Sequence, residues 1–167
     1  MWRIFLDSSV LVNYKKYEKY KEKLEYLIER KKKDINFISS KLLELEVLPL
    51  ERHKETKKFY QIFFKEIAKT QTHIDDGTVR KALELRENYI LQPMDSLHIA
   101  GLLNKQIKES SYKKPNYLFL TLDDGILTEG EVLEKRVLKD RKNKVIAVDF
   151  DYFMDLYVEN DLKNLLN

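Results

Sequence analysis

Short, largely apolar runs alternate with longer stretches of helical periodicity, and this alternation most limits the folds open to the chain. The runs are Trp2 to Leu6, Ile35 to Ile38, Tyr117 to Thr121 and Lys144 to Val148. Each is too short for a stable helix and is bounded by polar or turn residues, as buried strands are. Between them Tyr20, Leu24, Leu27 and Ile28 recur at three- and four-residue intervals, as do Phe59, Ile62, Phe63 and Ile67, then Val79, Ala82, Leu83 and Leu85, the spacing of amphipathic helices. Further helices are expected from Val10, from Ser39-Ser40 to near Pro49, from Pro93 to about Lys108, and around Phe153, Leu156 and Tyr157. Asp75-Asp76-Gly77 and Lys113 to Asn116 read as breaks. Strands separated by helices build a parallel sheet covered on both faces. The expected fold is therefore α/β: three layers, a central mostly parallel sheet of four to five short strands, and helices on both faces. With no internal repeat or linker, residues 1–167 read as a single domain.

Composition supports this and removes several chemistries. Glycine and proline together number only seven, about 4% of the chain against roughly 12% in average proteins, which favours helices. The absence of cysteine excludes disulfides, thiolate nucleophiles and Cys-ligated metal centres. The apolar run Ile4-Phe5-Leu6 is cut by Asp7 before the core of a secretory signal can form, and no stretch nears the ~18 apolar residues of a membrane helix. A soluble, cytoplasmic protein without a membrane partner is expected. The net charge is only +3, but lysine and arginine cluster at Lys15 to Lys23, Arg30 to Lys33, Lys54 to Lys58, Lys113 with Lys114, and Lys135 to Lys144. Most are interleaved with glutamates such as Glu22, Glu25 and Glu29, as on a solvated helix face. They bear on function only beside a site for a polyanion.

Such a site is suggested by acids at strand ends and in apolar helices. Asp7 follows the first strand, and Asp123 and Asp124 follow the third of the runs above. In open α/β sheets ligands bind outside the carboxyl ends of the strands. Glu44 and Glu46 lie in a helix whose apolar residues point in nearly all directions, so one of them needs a partner or the helix is less buried than its pattern implies. Asp95 lies in the first turn of an equally apolar helix. Taken singly, Asp7 reads as a helix cap, Asp95 as a carboxylate favouring the helix dipole, and Asp123 as a turn residue. Brought together they would repel: two carboxylates about 5 Å apart cost roughly 3 kcal/mol at an effective dielectric near 20. A cluster of this kind calls for cations, and hard oxygen ligands select Mg²⁺ or Mn²⁺. A metal so held can activate water against a phosphodiester.

The same residues fall into spaced blocks that resemble the PIN-domain ribonucleases, including the VapC-type toxins. Ile4 to Leu11 resembles the opening block, a strand, an Asp, then small hydroxyl residues. Ser40 to Leu50 resembles the second, whose spacing selects Glu46 and leaves Glu44 in reserve. Leu85-Arg86 with Pro93 to Ala100 resembles the third, and Phe119-Leu120-Thr121-Leu122-Asp123 the fourth. The resemblance implies that Asp7, Glu46, Asp95 and Asp123 are both catalytic residues and ligands of one or two Mg²⁺ or Mn²⁺ ions, with Ser9 and Asp124 in support. It implies an endoribonuclease acting on RNA through metal-activated water, in some members the toxin of a toxin-antitoxin pair with an antitoxin protein as partner, and in many a homodimer. The blocks depart from the family at Ser96, where Ala is usual, at Leu122, where Asn is common, and in the added Asp124. His98 reads as a hydrogen-bonded helix histidine with no chemistry assigned.

Two other readings compete. Val148-Asp149-Phe150-Asp151 resembles the nucleophile motif of haloacid-dehalogenase-type phosphatases, but that strand should open the fold, and here only 16 residues follow Asp151. A PIN-like module that binds nucleic acid or protein without catalysis is the other. Clustered carboxylates argue against it, since a surface for a polyanion has no use for them.

Overall fold

The computed structural model describes residues 1–31, 33, 35–49, 51–108, 115–127, 135–140 and 143–166. The chain runs β1 (Trp2–Leu6), α1 (Ser8–Lys16), α2 (Glu18–Glu29), β2 (Ile35–Ser40), α3 (Lys41–Val47) and α4 (Lys54–Ile62), which continues into a π-helical turn at Phe63–Ile67. It goes on through β3 (Thr70–Thr72), α5 (Asp76–Asn88), α6 (Pro93–Lys108), β4 (Asn116–Thr121), α7 (Asp124–Leu127), β5 (Lys135–Asp140), β6 (Asn143–Asp149) and α8 (Phe150–Val158), and ends in a 3₁₀ turn at Leu162–Leu166.

The strands form one six-stranded sheet in the order β3-β2-β1-β4-β6-β5. All neighbours are parallel except β5 and β6. The expectation of four to five strands is thus corrected to six, and both additions are edge strands without an apolar run. β3 is Thr-Gln-Thr, held by three register positions against β2. β5 alternates: Arg136 and Leu138 are buried while Val137 and Lys139 are exposed. Charges on such a strand keep the open edge from pairing with other chains. Among the basic and loop positions singled out above, Lys32, Lys113, Lys114, Arg141 and Lys142 lie outside the described residues.

Both faces of the sheet are covered, because successive residues that point to opposite faces are equally buried. Ile4, Phe5 and Leu6 of β1 and Leu118, Phe119 and Leu120 of β4 are all 0% exposed, which requires helices on either side. Phe5 stacks on Phe119 at 5.4 Å between ring centroids and meets His98 of α6 at 5.0 Å. Gly101 lets α6 come down on β3, since a Cβ there would stand 3.2 Å from Thr72 Cβ and Oγ1. Tyr60 of α4 donates to the Leu11 carbonyl at 2.7 Å and fastens α4 to α1. Helix starts are set by local chemistry: Asp7, Ser40, Asp75 and Asp149 each accept a backbone N–H of the first turn that follows, satisfying donors that the helix cannot.

From β1 the chain crosses to β2 on one side, and β4 later adds on the other. The carboxyl ends of β1 and β4 therefore flank the point where the winding direction reverses, which is where a crevice opens in such sheets.

Candidate active site

β1 ends in Asp7 and β4 ends in Thr121, and one carboxylate oxygen ties the two strand ends together. Asp7, only 3% exposed, accepts on Oδ2 from the Ser9 hydroxyl and backbone N–H and from Thr121 Oγ1 at 3.0 Å. Ser9 Oγ in turn accepts the Leu122 N–H at 2.9 Å, and Thr121 Oγ1 accepts the Asp123 N–H at 2.9 Å. The turn after β4 is thus fixed by the two hydroxyls that fix Asp7. Asp123 itself is exposed, with Oδ1 accepting the Gly125 N–H at 2.8 Å.

The other half of the site comes from α3 and α6. His98, 1% exposed, places Nε2 at 3.0 Å from Glu46 Oε2 and Nδ1 at 3.3 Å from Ser40 Oγ. An ionised Glu46 can only accept, so His98 donates to it from Nε2, while Ser40 Oγ, which also accepts the Leu43 N–H, sits beside Nδ1. Glu44 and Glu46 differ in their surroundings: Glu46 meets His98, whereas Glu44 turns away to Lys41 and Gln71. Both explanations offered for this apolar helix apply, because Glu46 has a specific partner and Leu45 is 67% exposed.

Asp95 is half-buried in the first turn of α6. Burial pushes its carboxyl up to about 7, the negative charges of Asp7 and Asp123 add to this, Glu46 adds less, and His98 opposes it. The other three acids therefore all bear on Asp95, as neighbouring carboxylates do. They do not form a finished cage: among the described residues no three His, Cys, Asp or Glu side chains stand ready to hold a metal ion. The donor set nevertheless fits a hard divalent cation in kind. Asp7, Glu46 and Asp123 each have one oxygen held by a protein donor, and among the described residues the second oxygen of each and both oxygens of Asp95 have no hydrogen-bond partner. The imidazole nearby is spent on Glu46, which leaves oxygen ligands alone and disfavours zinc. Ligands oriented by outer hydrogen bonds are the usual construction of a metal site.

Asp124, by contrast, opens α7 and lines a neighbouring cavity of about 530 Å³ with Asp149 and Asp151. Asp149 caps α8, and Asp151 is paired with Lys19 and Lys23, so the residues of the phosphatase-like motif have structural work. His98 is the hydrogen-bonded helix histidine expected from the sequence, but the identity of its partner, and the bond from Thr121 to Asp7, are set by the fold. Thr121 stands inside the fourth block and was within reach there, whereas nothing local marks His98 as the partner of an acid on another helix.

The family model described as PIN domain matches residues 4–127, a span that holds all four acids. No curated protein matches the chain at a significant level. Among solved structures the chain is similar to VapBC2 from Rickettsia felis bound to a DNA fragment from their promoter, at 14% identity and a TM-score of 0.48, covering 72% of this chain and 88% of that one. It is also similar to FitAcB from Neisseria gonorrhoeae, at 15% identity and a TM-score of 0.41, covering 73% and 88%. Among the described residues no helix is long and apolar enough to cross a membrane.

Proposed function

The chain belongs to the PIN domain family, and from that premise we propose that it is a metal-dependent endoribonuclease whose centre is built by Asp7, Glu46, Asp95 and Asp123. The observation that carries the proposal is the anchoring of Asp7 by Ser9 and Thr121, of Glu46 by His98 and of Asp123 by the Gly125 N–H, each acid keeping one oxygen without a protein partner among the described residues. Four acids at the carboxyl edge of a parallel sheet would repel a phosphodiester on their own. They become a binding site for one when a divalent cation lies among them. When bound, Mg²⁺ or Mn²⁺ held by these residues supplies a water of lowered pKa and offsets charge on the phosphate.

The chain's own groups do the orienting. Ser9 and Thr121 hold one oxygen of Asp7, His98 holds one of Glu46, and the Gly125 N–H holds one of Asp123. Each keeps its other oxygen for a ligand without the cost of ordering the side chain at the moment of binding. RNA as the substrate follows the resemblance to the PIN ribonucleases. A protein antitoxin seated on the same acidic edge, as the VapC-type resemblance implies, would block access to it.

The test is cleavage of a labelled mixed RNA pool with Mg²⁺ or Mn²⁺, run against chelator and against Asp95→Asn protein prepared in parallel. Cleavage lost in both controls supports the proposal. Cleavage that persists unchanged in Asp95→Asn, or wild-type protein that cuts nothing and binds no divalent cation by calorimetry, overturns it and leaves a binding module on the same fold.

A further inference from the structure

A second feature lies behind α3, on the side away from the carboxylates. Glu44 and Glu46 are two residues apart, which turns them about 200° from each other around the helix. Glu46 faces His98, and Glu44 faces a groove of about 890 Å³ between α3 and the helical stretch formed by α4 and the π-helical turn. Four lysines line it: Lys41 from α3, Lys58 and Lys65 from the opposite wall, and Lys69 next to β3. Against them, among the described residues, stand Glu44 and Glu66.

The lysines are not equal. Lys41 is paired with the half-buried Glu44 and Lys69 with the exposed Glu66, each three residues apart; with the lysines themselves exposed, such pairs hold weakly. Lys58 and Lys65 are exposed and pair with no carboxylate among the described residues. Most lysines of α1 and α2 are otherwise engaged, Lys15 with Glu51, Lys21 with Glu18, and Lys19 and Lys23 with Asp151, and Lys16 is exposed outside the groove. The groove thus carries two exposed lysines, Lys58 and Lys65, that no carboxylate among the described residues pairs with.

Lys58 and Lys65 stand seven residues apart on one helical face, roughly 10 Å along the axis. That spacing lets each lysine take a different phosphate of one chain. Gln61 and Ile62, the latter 44% exposed, lie between them on the same wall, and a basic groove can track the backbone of a single strand. We infer that the groove between α3 and the α4 stretch binds the backbone of single-stranded RNA, with Lys58 and Lys65 as its principal phosphate contacts. The inference rests on the ribonuclease reading for the identity of the polyanion.

The experiment is fluorescence anisotropy with a labelled single-stranded RNA in chelator, so that binding is read without cleavage, over a series of salt concentrations. The proteins are wild type, Lys58→Ala/Lys65→Ala, and a control, Lys139→Ala/Lys144→Ala, whose exposed lysines lie on β5 and β6 at the far edge of the sheet. Two lost phosphate contacts lower the slope of log K against log salt by about 1.4 and weaken binding at 0.1 M salt roughly 25-fold. The control keeps the wild-type slope. Equal weakening in both double variants, no weakening in the groove variant, or preference of the groove for an acidic peptide over RNA overturns the inference. If wild type cuts RNA with Mg²⁺ but the groove variant binds as tightly, the groove assignment fails and the nuclease stands. If nothing is cut and no divalent cation is bound, yet RNA binding follows the groove lysines, the nuclease reading fails and the groove stands.

Discussion

His98 Nε2 lies 3.0 Å from Glu46 Oε2 while Nδ1 of the same ring lies 3.3 Å from Ser40 Oγ, so one buried imidazole links the cap of α3 to the acid near that helix's end. The ring is held from below by Phe5 at 5.0 Å. A side chain with two fixed partners and no solvent has little freedom, and it passes that order on to Glu46.

His98→Ala should therefore lower Mg²⁺-dependent cleavage by about 10- to 100-fold, the usual loss when a ligand's hydrogen-bond partner is removed. The loss should appear chiefly as a higher metal requirement in titrations of activity against Mg²⁺. Combined with Glu46→Gln, the two losses should fall well short of adding, because both remove the same oriented carboxylate. Full additivity would place His98 outside the site.

Asp95 gives the stability a pH dependence of definite sign. Its folded carboxyl is raised to about 7 by burial, then by Asp7 and Asp123, so between about pH 4 and 7 the unfolded chain loses that proton while the folded chain keeps it. The folded state is therefore favoured toward the acid end of this window, and that advantage is lost as pH rises through 7. Asp95→Asn should raise the thermal midpoint at pH 8 relative to wild type and change it little near pH 4. In the same scans Mg²⁺ should stabilise the wild type more at pH 8 than at pH 5.5, and Asp95→Asn much less at either pH.

Thr121 Oγ1 both donates to Asp7 and accepts from the Asp123 N–H, and it is fully buried. Thr121→Val keeps the shape but leaves a carboxylate oxygen and a backbone donor short of a partner, at a cost of about 1–3 kcal/mol. Urea denaturation should show that loss as a lower midpoint with unchanged slope. Cleavage should fall as well, since both acids lose their common anchor.

Tyr60→Phe separates the fold from the chemistry. It removes the bond from Tyr60 to the Leu11 carbonyl and should cost about 1 kcal/mol in urea denaturation. Cleavage by the folded protein should be unchanged, because Tyr60 touches none of the four acids.

The central architecture was legible in the sequence because its signals are local. The runs at Trp2 to Leu6 and Tyr117 to Thr121 are apolar at every position, as strands buried on both faces must be, and Pro93 marks the start of α6 where its missing N–H costs nothing. β3 and β5 carried no such mark. Three polar residues become a strand in β3 only because β2 lies beside them, and β5 is held by its partner β6. Likewise the acids could be named from their blocks, but their surroundings could not.

What the chain's sequence determined by itself is the alternation of strands and helices, the caps that start the helices, and the placing of Asp7 and Asp123 after strands, since each depends on residues a few positions apart. The tertiary structure alone decided which glutamate of α3 meets His98, 52 positions away, which hydroxyl of β4 holds Asp7, 114 positions away, and which lysines remain unpaired. Those choices rest on packing between elements that meet only when the sheet closes around β1. There, burial and the approach of like charges set the chemistry of Asp95, and no periodicity in the chain encodes that.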